Sequence, residues 1–268
     1  MKKLLGFSIF LVFVLIASLT AEAKVTLPAI FSDNMVLQQN TQVNVWGKAA
    51  PGEKVTVKAS WLDKAVTAKA AANGKWTVKL KTPKATTNQS VTVSGENEIT
   101  INNILIGEVW LCTGQSNMEF PVSRHPDVKW NTGMLNEAEE LKDADYPEIR
   151  LFHVKHQLAH EGELDDCEGE WLVCNPKNLY DFSAVGFVFG RKLYKELKMP
   201  IGLIQSTWGG THAESWTKLD VMKKNPLYAD VLKDFALEGV KQQKNYCKVP
   251  ATLWNGMIHP ILGYTIKG

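Results

Sequence analysis

Residues Gly107–Glu119 read GEVWLCTGQSNME, and they follow an apolar run that begins at Ile104. The apolar run predicts a buried strand, and the small polar residues from Thr113 onward predict that the strand ends there. Open α/β sheets place their ligands at the carboxyl ends of strands, which is the position of Ser116. A serine there is either a nucleophile with a base beside it or an ordinary turn or helix-capping residue, and spacing alone leaves both interpretations open.

The block Gly114–Glu119, GQSNME, resembles the nucleophile block of the sialate O-acetylesterase family, whose members are carbohydrate esterases with the SGNH-hydrolase fold. The Gly-x-Ser-x-Gly elbow of the α/β-hydrolases is absent, because Met118 stands where that pattern has its second glycine. The resemblance implies that Ser116 is the catalytic nucleophile and that no cofactor is required.

Composition and charge are those of a globular protein of one large or two ordinary domains. The chain has 268 residues, of which 45% are apolar and 22% charged, and its net charge is +2. With so small a charge and no basic run interleaved with aromatics, nucleic acid is not an expected partner. The nine tryptophans suit sugar-binding surfaces, but they suit buried cores equally well.

Residues 1–23 predict an export signal. Lys2 and Lys3 precede the apolar run Leu4–Leu19, and Ala21–Ala23 offers a small-x-small cleavage site. A membrane anchor is the alternative, but the apolar run is short for a membrane span. We therefore expect cleavage near Ala23, no stable membrane anchor, and a mature protein that is periplasmic or secreted.

The four cysteines do not predict a metal site, because no Cys-x-x-Cys or Cys/His spacing is present. Cys112 lies in the predicted buried strand and is interpreted as a free core thiol. Cys167 and Cys174 are close enough in sequence to pair in an oxidising compartment, and the sequence leaves that pairing open.

Residues 24–103 predict a small β-sandwich domain. Apolar residues alternate with polar ones, and Pro51-Gly52, Asn73-Gly74 and Gly95-Glu96 punctuate the runs as turns. We favour a scaffold role for this domain; a carbohydrate-binding role is the alternative, for which the sequence identifies no residues. The alternating apolar residues are Val43, Val45, Val55, Val57, Trp76, Val78, Leu80, Val91, Val93, Ile99 and Ile101.

Residues 104–268 predict alternating strands and helices, which indicates a largely parallel sheet with helices on its faces. With the family resemblance, this implies a partial three-layer α/β SGNH-hydrolase domain of the flavodoxin-like type. Ser183 is a candidate cap for an amphipathic helix that Met199-Pro200 ends. Further strands are predicted at 148–154 and 201–206, and further helices at 132–142, 226–242 and 251–258.

The loop Thr207–Trp216, TWGGTHAESW, follows the strand predicted at 201–206. Glycine permits close backbone approach, so its N–H can stabilise a developing oxyanion. Gly209-Gly210 alone would be interpreted as a turn, but its pairing with the Ser116 block predicts an oxyanion hole made by the N–H groups of Ser116 and Gly210. The residues predicted to line the substrate pocket are Gln115, Asn117, Gly209 and His212.

The resemblance to the family extends over essentially the whole mature chain. The matching segments are Phe31–Gln38, Trp46-Gly47, Pro51-Gly52, Asp181–Arg191, Gly202–Trp216 and Leu253–Pro260. Family members continue past a pair like Lys267-Gly268 into a strand, a Gln-Gly-Glu-rich block that contributes to the oxyanion pocket, and an Asp-x-x-His block that supplies the general base. This sequence ends before both blocks, so we expect the N-terminal portion of a longer, C-terminally truncated enzyme.

The general base is therefore the missing element of the predicted mechanism, and its loss costs a serine triad on the order of a million-fold in turnover. His259 precedes a proline as the catalytic histidine of the family does, but no aspartate stands three residues before it. His212 adjoins the glycine pair and is predicted to be a pocket residue rather than the base. His125, His153, His156 and His160 are interpreted as surface or strand residues.

The resemblance implies an esterase that removes O-acetyl groups from sugars, with acetylated sialic acid as the first expected substrate and other O-acetylated glycans as alternatives. The alternative class of function is a catalytically impaired fragment or a non-catalytic carbohydrate-binding protein. The intact Ser116 and Gly210 blocks favour the esterase, and the missing base favours the impaired fragment or the non-catalytic binding protein.

Overall fold

The computed structural model describes residues 24–125, 127, 133–238 and 246–268. The predicted export signal, residues 1–23, lies outside these ranges and stays a prediction. Within them, no helix has the length and apolar character that crossing a membrane requires.

The described residues form ten strands, eight in one large sheet and two in a small one. The large sheet has the order β4-β3-β6-β7-β10-β8-β9, with β1 also paired to β7, and β2 and β5 form the small sheet. The strands are β1 Val36–Gln38, β2 Gln42–Lys48, β3 Lys54–Ala59, β4 Val66–Lys69, β5 Lys75–Lys81, β6 Thr86–Ser94, β7 Glu98–Gly114, β8 Tyr146–His153, β9 Trp171–Cys174 and β10 Ile201–Thr207.

Strand β7 is shared by the N-terminal and C-terminal parts of the large sheet. Its first part pairs antiparallel with β6, and its later part pairs in parallel with β1 at residues 105–107 and with β10 at residues 108–114. The predicted domain boundary after Asn103 falls inside this strand, near a register shift, and Asn103 has a φ of +53°. The division of the chain at this point therefore stays a prediction.

The alternation predicted for residues 24–103 is confirmed by burial. The inward residues of β2, β3, β5 and β6 are buried in one hydrophobic cluster. Gly52 and Gly74 have φ values of +82° and +76°, so two of the three predicted turns use the conformation that favours glycine. β2 and β5 pair antiparallel apart from the large sheet, but the assignment of a separate sandwich domain stays a prediction.

The C-terminal part is a mixed α/β structure with a parallel centre. β7, β10 and β8 run parallel in that order, and β9 closes the edge antiparallel. β8 and β10 confirm the strands predicted at 148–154 and 201–206. Every residue of β10 is buried, as expected for a central parallel strand that is covered on both faces.

The predicted central helix is confirmed as α4, Ala184–Leu197. Ser183 caps it, because its Oγ accepts a hydrogen bond from the Gly186 N–H at 3.0 Å, and Lys198 ends it with a φ of +51°. A Cβ atom on Gly190 would lie 2.5 Å from Leu203 Cδ1, so this glycine lets α4 lie close against β10.

The other helices are short. They are α1 Ser116–Glu119, α2 Glu137–Lys142, α3 Pro176–Leu179, α5 Leu219–Lys223 and α6 Ala229–Glu238. Single 3₁₀ turns occupy Ala213–Trp216, Pro226–Tyr228, Tyr246–Lys248 and His259–Ile261, and a π-helical turn occupies Trp254–Ile258.

Three predicted helices were wrong in length or type. Of 132–142, residue 132 lies outside the described residues, Gly133 has a non-helical φ of +67°, and the described helix is Glu137–Lys142. Of 226–242, the first residues form a 3₁₀ turn before α6, and 239–242 lie outside the described residues. In 251–258, Ala251 has a φ of +62°, and the π-helical turn contains Gly256, which lies against the backbone carbonyl of Gln157.

All four cysteines are free thiols. The pairing left open for Cys167 and Cys174 is therefore not formed, and burial raises the pKa of both thiols to about 12. Cys112 is buried, as predicted, and burial raises the pKa of its thiol to about 11.

We expect Gly190→Val to lower the free energy of unfolding by about 1–3 kcal/mol, because its side chain would overlap Leu203 in a close-packed layer. Urea denaturation measures the change. Lys192→Ala, which alters an exposed residue of the same helix, is the control and should change stability by less than about 0.5 kcal/mol. Equal stability of Gly190→Val and Lys192→Ala would contradict the described contact between α4 and β10.

Candidate active site

Three parallel strands end at one edge of the sheet and bring their last residues together. Gly114 of β7 lies opposite Thr207 of β10, and Gln205 of β10 lies opposite His153 of β8. Gly114 has a φ of +149°, a conformation that side chains rarely permit, and the chain turns there from β7 into α1. This turn leaves Ser116 exposed at the carboxyl edge of the sheet.

The side-chain oxygen of Gln115 is surrounded by hydrogen-bond donors. Ser116 Oγ lies 3.0 Å from Gln115 Oε1, the Gly210 N–H nitrogen lies 3.3 Å from it, and the Ser116 N–H nitrogen lies 3.5 Å from it. Oxyanion holes have this arrangement, with N–H donors directed at one oxygen beside the nucleophile. The structure therefore brings Gln115, Ser116 and Gly210 together, although their catalytic roles stay predictions.

The two glycines of the loop after β10 have different surroundings. Gly210 has a φ of +73° and open space where a side chain would stand. The Gly209 N–H donates to Glu119 Oε2 over 2.5 Å, and a Cβ atom on Gly209 would lie 3.5 Å from Ser116 Oγ. Gly209 thus lies beside Ser116, but its N–H is already bonded to Glu119, and its role in a substrate pocket stays a prediction.

His156 occupies the other side of the Glu119 carboxylate. Its Nε2 lies 2.7 Å from Glu119 Oε1 and 3.0 Å from the Thr207 carbonyl oxygen, and its ring stacks on Trp208 with centroids 4.0 Å apart. Both partners of Nε2 are acceptors, so this nitrogen carries a hydrogen. His156 Nε2 is therefore a donor in this arrangement and does not accept the proton of Ser116.

Burial and neighbouring charges shift two pKa values at this edge. Burial alone would raise the pKa of the Glu119 carboxyl, but hydrogen bonds from His156 and the Gly209 N–H outweigh it and bring the pKa below its ordinary value. Burial, with the nearby Lys155 and His156, lowers the pKa of His153 to about 4. At neutral pH, Glu119 is therefore charged and His153 is neutral.

The remaining predicted residues do not complete a catalytic pair with Ser116. Asn117 and His212 are exposed, and the His212 side chain makes no hydrogen bond with the described residues. His259 is engaged elsewhere, with Nδ1 2.8 Å from the Leu164 carbonyl oxygen and Nε2 3.3 Å from Glu163. Among the described residues, no histidine is hydrogen-bonded to Ser116 Oγ. A search of the same residues finds no cluster of three or more His, Cys, Asp or Glu side chains suited to a metal ion.

Sequence reasoning missed Glu119 and His156. Glu119 lies in the quoted block, three residues after Ser116, and a carboxylate so close to the nucleophile was an available signal. His156 was interpreted as a surface or strand residue, and the sequence carries no local signal for its contact with Glu119. Only the parallel register of β7, β8 and β10 places the two side chains together.

Comparisons with known proteins point to a single family. A family model described as a carbohydrate esterase, sialic acid-specific acetylesterase, matches residues 106–256. The sialate O-acetylesterase of Mus musculus is 30% identical over 280 residues, covering 90% of this chain and 50% of the mouse protein. That of Homo sapiens is 30% identical over 258 residues, covering 88% of this chain and 46% of the human protein.

A solved structure is similar over the same extent. The crystal structure of a carbohydrate acetylesterase from Xanthomonas citri aligns with a TM-score of 0.74 and 30% identity, covering 91% of this chain and 50% of that chain. The chain thus spans about half the length of the curated relatives that it matches.

We expect the titration of His153 to make the protein less stable in mild acid. The unfolded histidine takes up a proton below about pH 6.5, whereas the folded one stays neutral down to about pH 4, so acid favours the unfolded state between these values. At pH 5 the cost is about 2 kcal/mol. Urea denaturation at pH 7 and pH 5 should show a smaller pH dependence for His153→Gln than for wild type. His212→Gln, an exposed control, should keep the wild-type dependence; an unchanged dependence in His153→Gln would contradict the assignment.

We expect Glu119→Gln to lower the free energy of unfolding at pH 7 by about 1–3 kcal/mol, because the charged hydrogen bonds to Gly209 and His156 are weakened. The Glu119 pKa is lowered by folding, so this stabilisation is complete above the unfolded pKa and is lost as pH falls through the folded pKa. The stability difference between wild type and variant should therefore shrink in acid. Glu139→Gln, at an exposed position of α2, is the control, and the idea fails if the two variants behave alike.

Proposed function

Because this chain belongs to the carbohydrate esterase family of sialic acid-specific acetylesterases, we propose that it carries the nucleophile and oxyanion hole of an O-acetylesterase. Its proposed substrates are O-acetylated sugars, and acetylated sialic acid is the first expected among them. The reaction is hydrolysis of a carboxylic ester, and the leaving group is a sugar hydroxyl.

The observation that carries the proposal is the convergence of donors on Gln115 Oε1. The Gly210 N–H, the Ser116 N–H and Ser116 Oγ all lie within 3.5 Å of this oxygen. In the proposed mechanism the acetyl oxygen of the substrate takes the place of Gln115 Oε1, and the Gln115 side chain moves aside. Open space at Gly210 leaves room for the acyl group.

Ser116 Oγ then attacks the acetyl carbon, and negative charge develops on the acetyl oxygen. The N–H groups of Ser116 and Gly210 stabilise this charge, an effect for which removal of a single donor costs about 10²–10³-fold in turnover. The carbon–oxygen bond to the sugar breaks, the sugar oxygen takes up a proton, and water hydrolyses the acetyl-serine to release acetate.

The proposal requires a general base for Ser116 Oγ that the described residues do not supply. His156 Nε2 is a donor to Glu119 and to the Thr207 carbonyl, and His259 is bound by Leu164 and Glu163. In the family resemblance this base belongs to an Asp-x-x-His block. Within the proposal, the base therefore comes from outside the described residues.

A specific observation favours a second candidate, a carbohydrate-binding protein without catalysis. Ser116 Oγ is hydrogen-bonded to Gln115 and not to a base. In this alternative the acetylated sugar binds at the carboxyl edge of the sheet and is not hydrolysed. The two candidates share a ligand and differ only in acetate release.

Two parts of the proposal concern the whole chain. Residues 1–23 direct export to the periplasm or the outside of the cell, and residues 24–103 form a small β-sandwich that supports an SGNH-hydrolase domain at 104–268. The apolar and polar alternation of β2, β3 and β5 supports the second part.

Assayed together with the Asp-x-x-His segment that the proposal requires, the protein should release acetate from O-acetylated sialic acid, and Ser116→Ala should reduce this rate by at least about 10³-fold, because the nucleophile is removed. Ser94→Ala, at a half-buried serine of β6 that bonds Glu98, is the control and should retain the wild-type rate. Acetylated xylan, assayed in parallel, distinguishes sialic acid from other acetylated sugars. Binding of the acetylated sugar with no acetate release above Ser116→Ala would overturn the esterase proposal in favour of the second candidate.

A further inference from the structure

A cleft of about 610 Å³ lies between the small β2–β5 sheet and two loops of the C-terminal part. It is lined by residues of β2 and β5, by residues 26–28, and on the other side by residues 165–166, 259–260 and 262–263. It contains no residue of the Ser116 site. Its volume falls within the roughly 300–1,000 Å³ of small-molecule binding sites, which prefer interfaces between structural units.

The alternation of β2 and β5 builds one wall of the cleft. Val43 and Val45 face the core, so Asn44, Trp46 and Lys48 face outward, and in the antiparallel register Trp46 lies opposite Thr77. This wall is tied to the opposite one, because Asn44 Nδ2 donates to the Gly263 carbonyl over 3.1 Å. The cleft is therefore held open between two anchored walls.

Aromatic side chains give the cleft an apolar surface. Trp46 is half-buried and rigidly placed, with Phe31 packed edge-on against it at a centroid distance of 4.5 Å. Trp76 is also a lining residue, only 3% exposed, and its buried Nε1–H has no acceptor among the described residues. Trp46 is therefore the aromatic side chain that a ligand in the cleft can reach.

The charges in the cleft cancel, because Lys48 and Lys75 balance Asp165 and Asp166. Asp165 binds both Lys48, at 3.1 Å, and Lys75, at 2.5 Å, so one carboxylate occupies both ammonium groups. Asp166 adds a second carboxylate, whose Oδ1 accepts the N–H groups of Ala29 and Cys167. An anionic ligand such as a phosphate ester would meet carboxylates here and no unpaired lysine.

A ligand for this cleft must have an apolar face, hydroxyl groups for the Asp165 and Asp166 carboxylates, and no charge. We propose that the cleft binds an uncharged sugar residue of a glycan, with its C–H face on Trp46 and its hydroxyl groups on Asp165 and Asn44. This is a second, non-catalytic saccharide site. It goes beyond the proposed esterase function and does not depend on it, because Ser116 takes no part in the cleft.

Titration calorimetry of the intact chain with neutral hexasaccharides of xylose, glucose and mannose tests the proposal, with the anionic sugar sialic acid as a further arm. We expect saturable binding of at least one neutral hexasaccharide and weaker binding of sialic acid. Trp46→Ala should weaken the binding at least about tenfold, because it removes the aromatic anchor. Thr77→Arg should weaken it similarly, because a large side chain enters the cleft from an exposed position without removing a core contact.

Lys79→Ala is the matched control, since Lys79 is exposed on the same face of β5 but outside the cleft, and it should bind like wild type. No saturable binding by wild type up to about 10 mM sugar would overturn the proposal. So would unchanged affinity in Thr77→Arg, or tighter binding of sialic acid than of every neutral sugar. Acetate release by the same preparations reports on the Ser116 site, so failure of either proposal is recognised separately.

Discussion

The hydrogen bonds along both edges of β7 are the constraint on which the rest of the structure depends. β7 is bonded to β6 along its first part, to β1 at residues 105–107 and to β10 at residues 108–114. Further along the edge that pairs with β1, the Lys267 N–H donates to the Val109 carbonyl and the Leu111 N–H donates to the Gly268 carbonyl. A buried strand needs such partners for its backbone groups, and once they are in place the end of β7 has a single position. The position of Ser116, which follows the end of β7, is thereby fixed as well.

The Glu119 carboxylate connects the segments that form the site at the end of β7. It joins α1, the loop after β10 and the loop after β8, through Gly209 and His156. Its low pKa follows from those two bonds, which outweigh the cost of burial. Because the Gly209 N–H is bonded to Glu119, the neighbouring Gly210 N–H is the one left to face Gln115 Oε1. The Glu119 charge thus decides which glycine N–H of the pair faces the Gln115 oxygen.

Much of this arrangement was predictable because it rests on local patterns. Ser183 was recognised as a cap, β8 and β10 as apolar strands, and the motif around Ser116 as that of the family that the comparisons identify. The errors lie where a distant contact overrides a local preference. The predicted helix at 251–258 contains a π-helical turn, and its Gly256 packs against the backbone of Gln157, a residue far away in sequence.

The sequence by itself determined the family, the alternating strands and the chemical identity of the groups at the carboxyl edge. It could do so because the residues of a motif and the periodicity of side chains are local properties. Only the tertiary structure decided that His156 is a donor to Glu119, that Gly210 rather than Gly209 faces the oxygen, and that Trp46 and Asp165 share a cleft. In each of these contacts the two partners lie more than thirty positions apart in the sequence. Their proximity is set by strand register and packing, which no local stretch of sequence encodes.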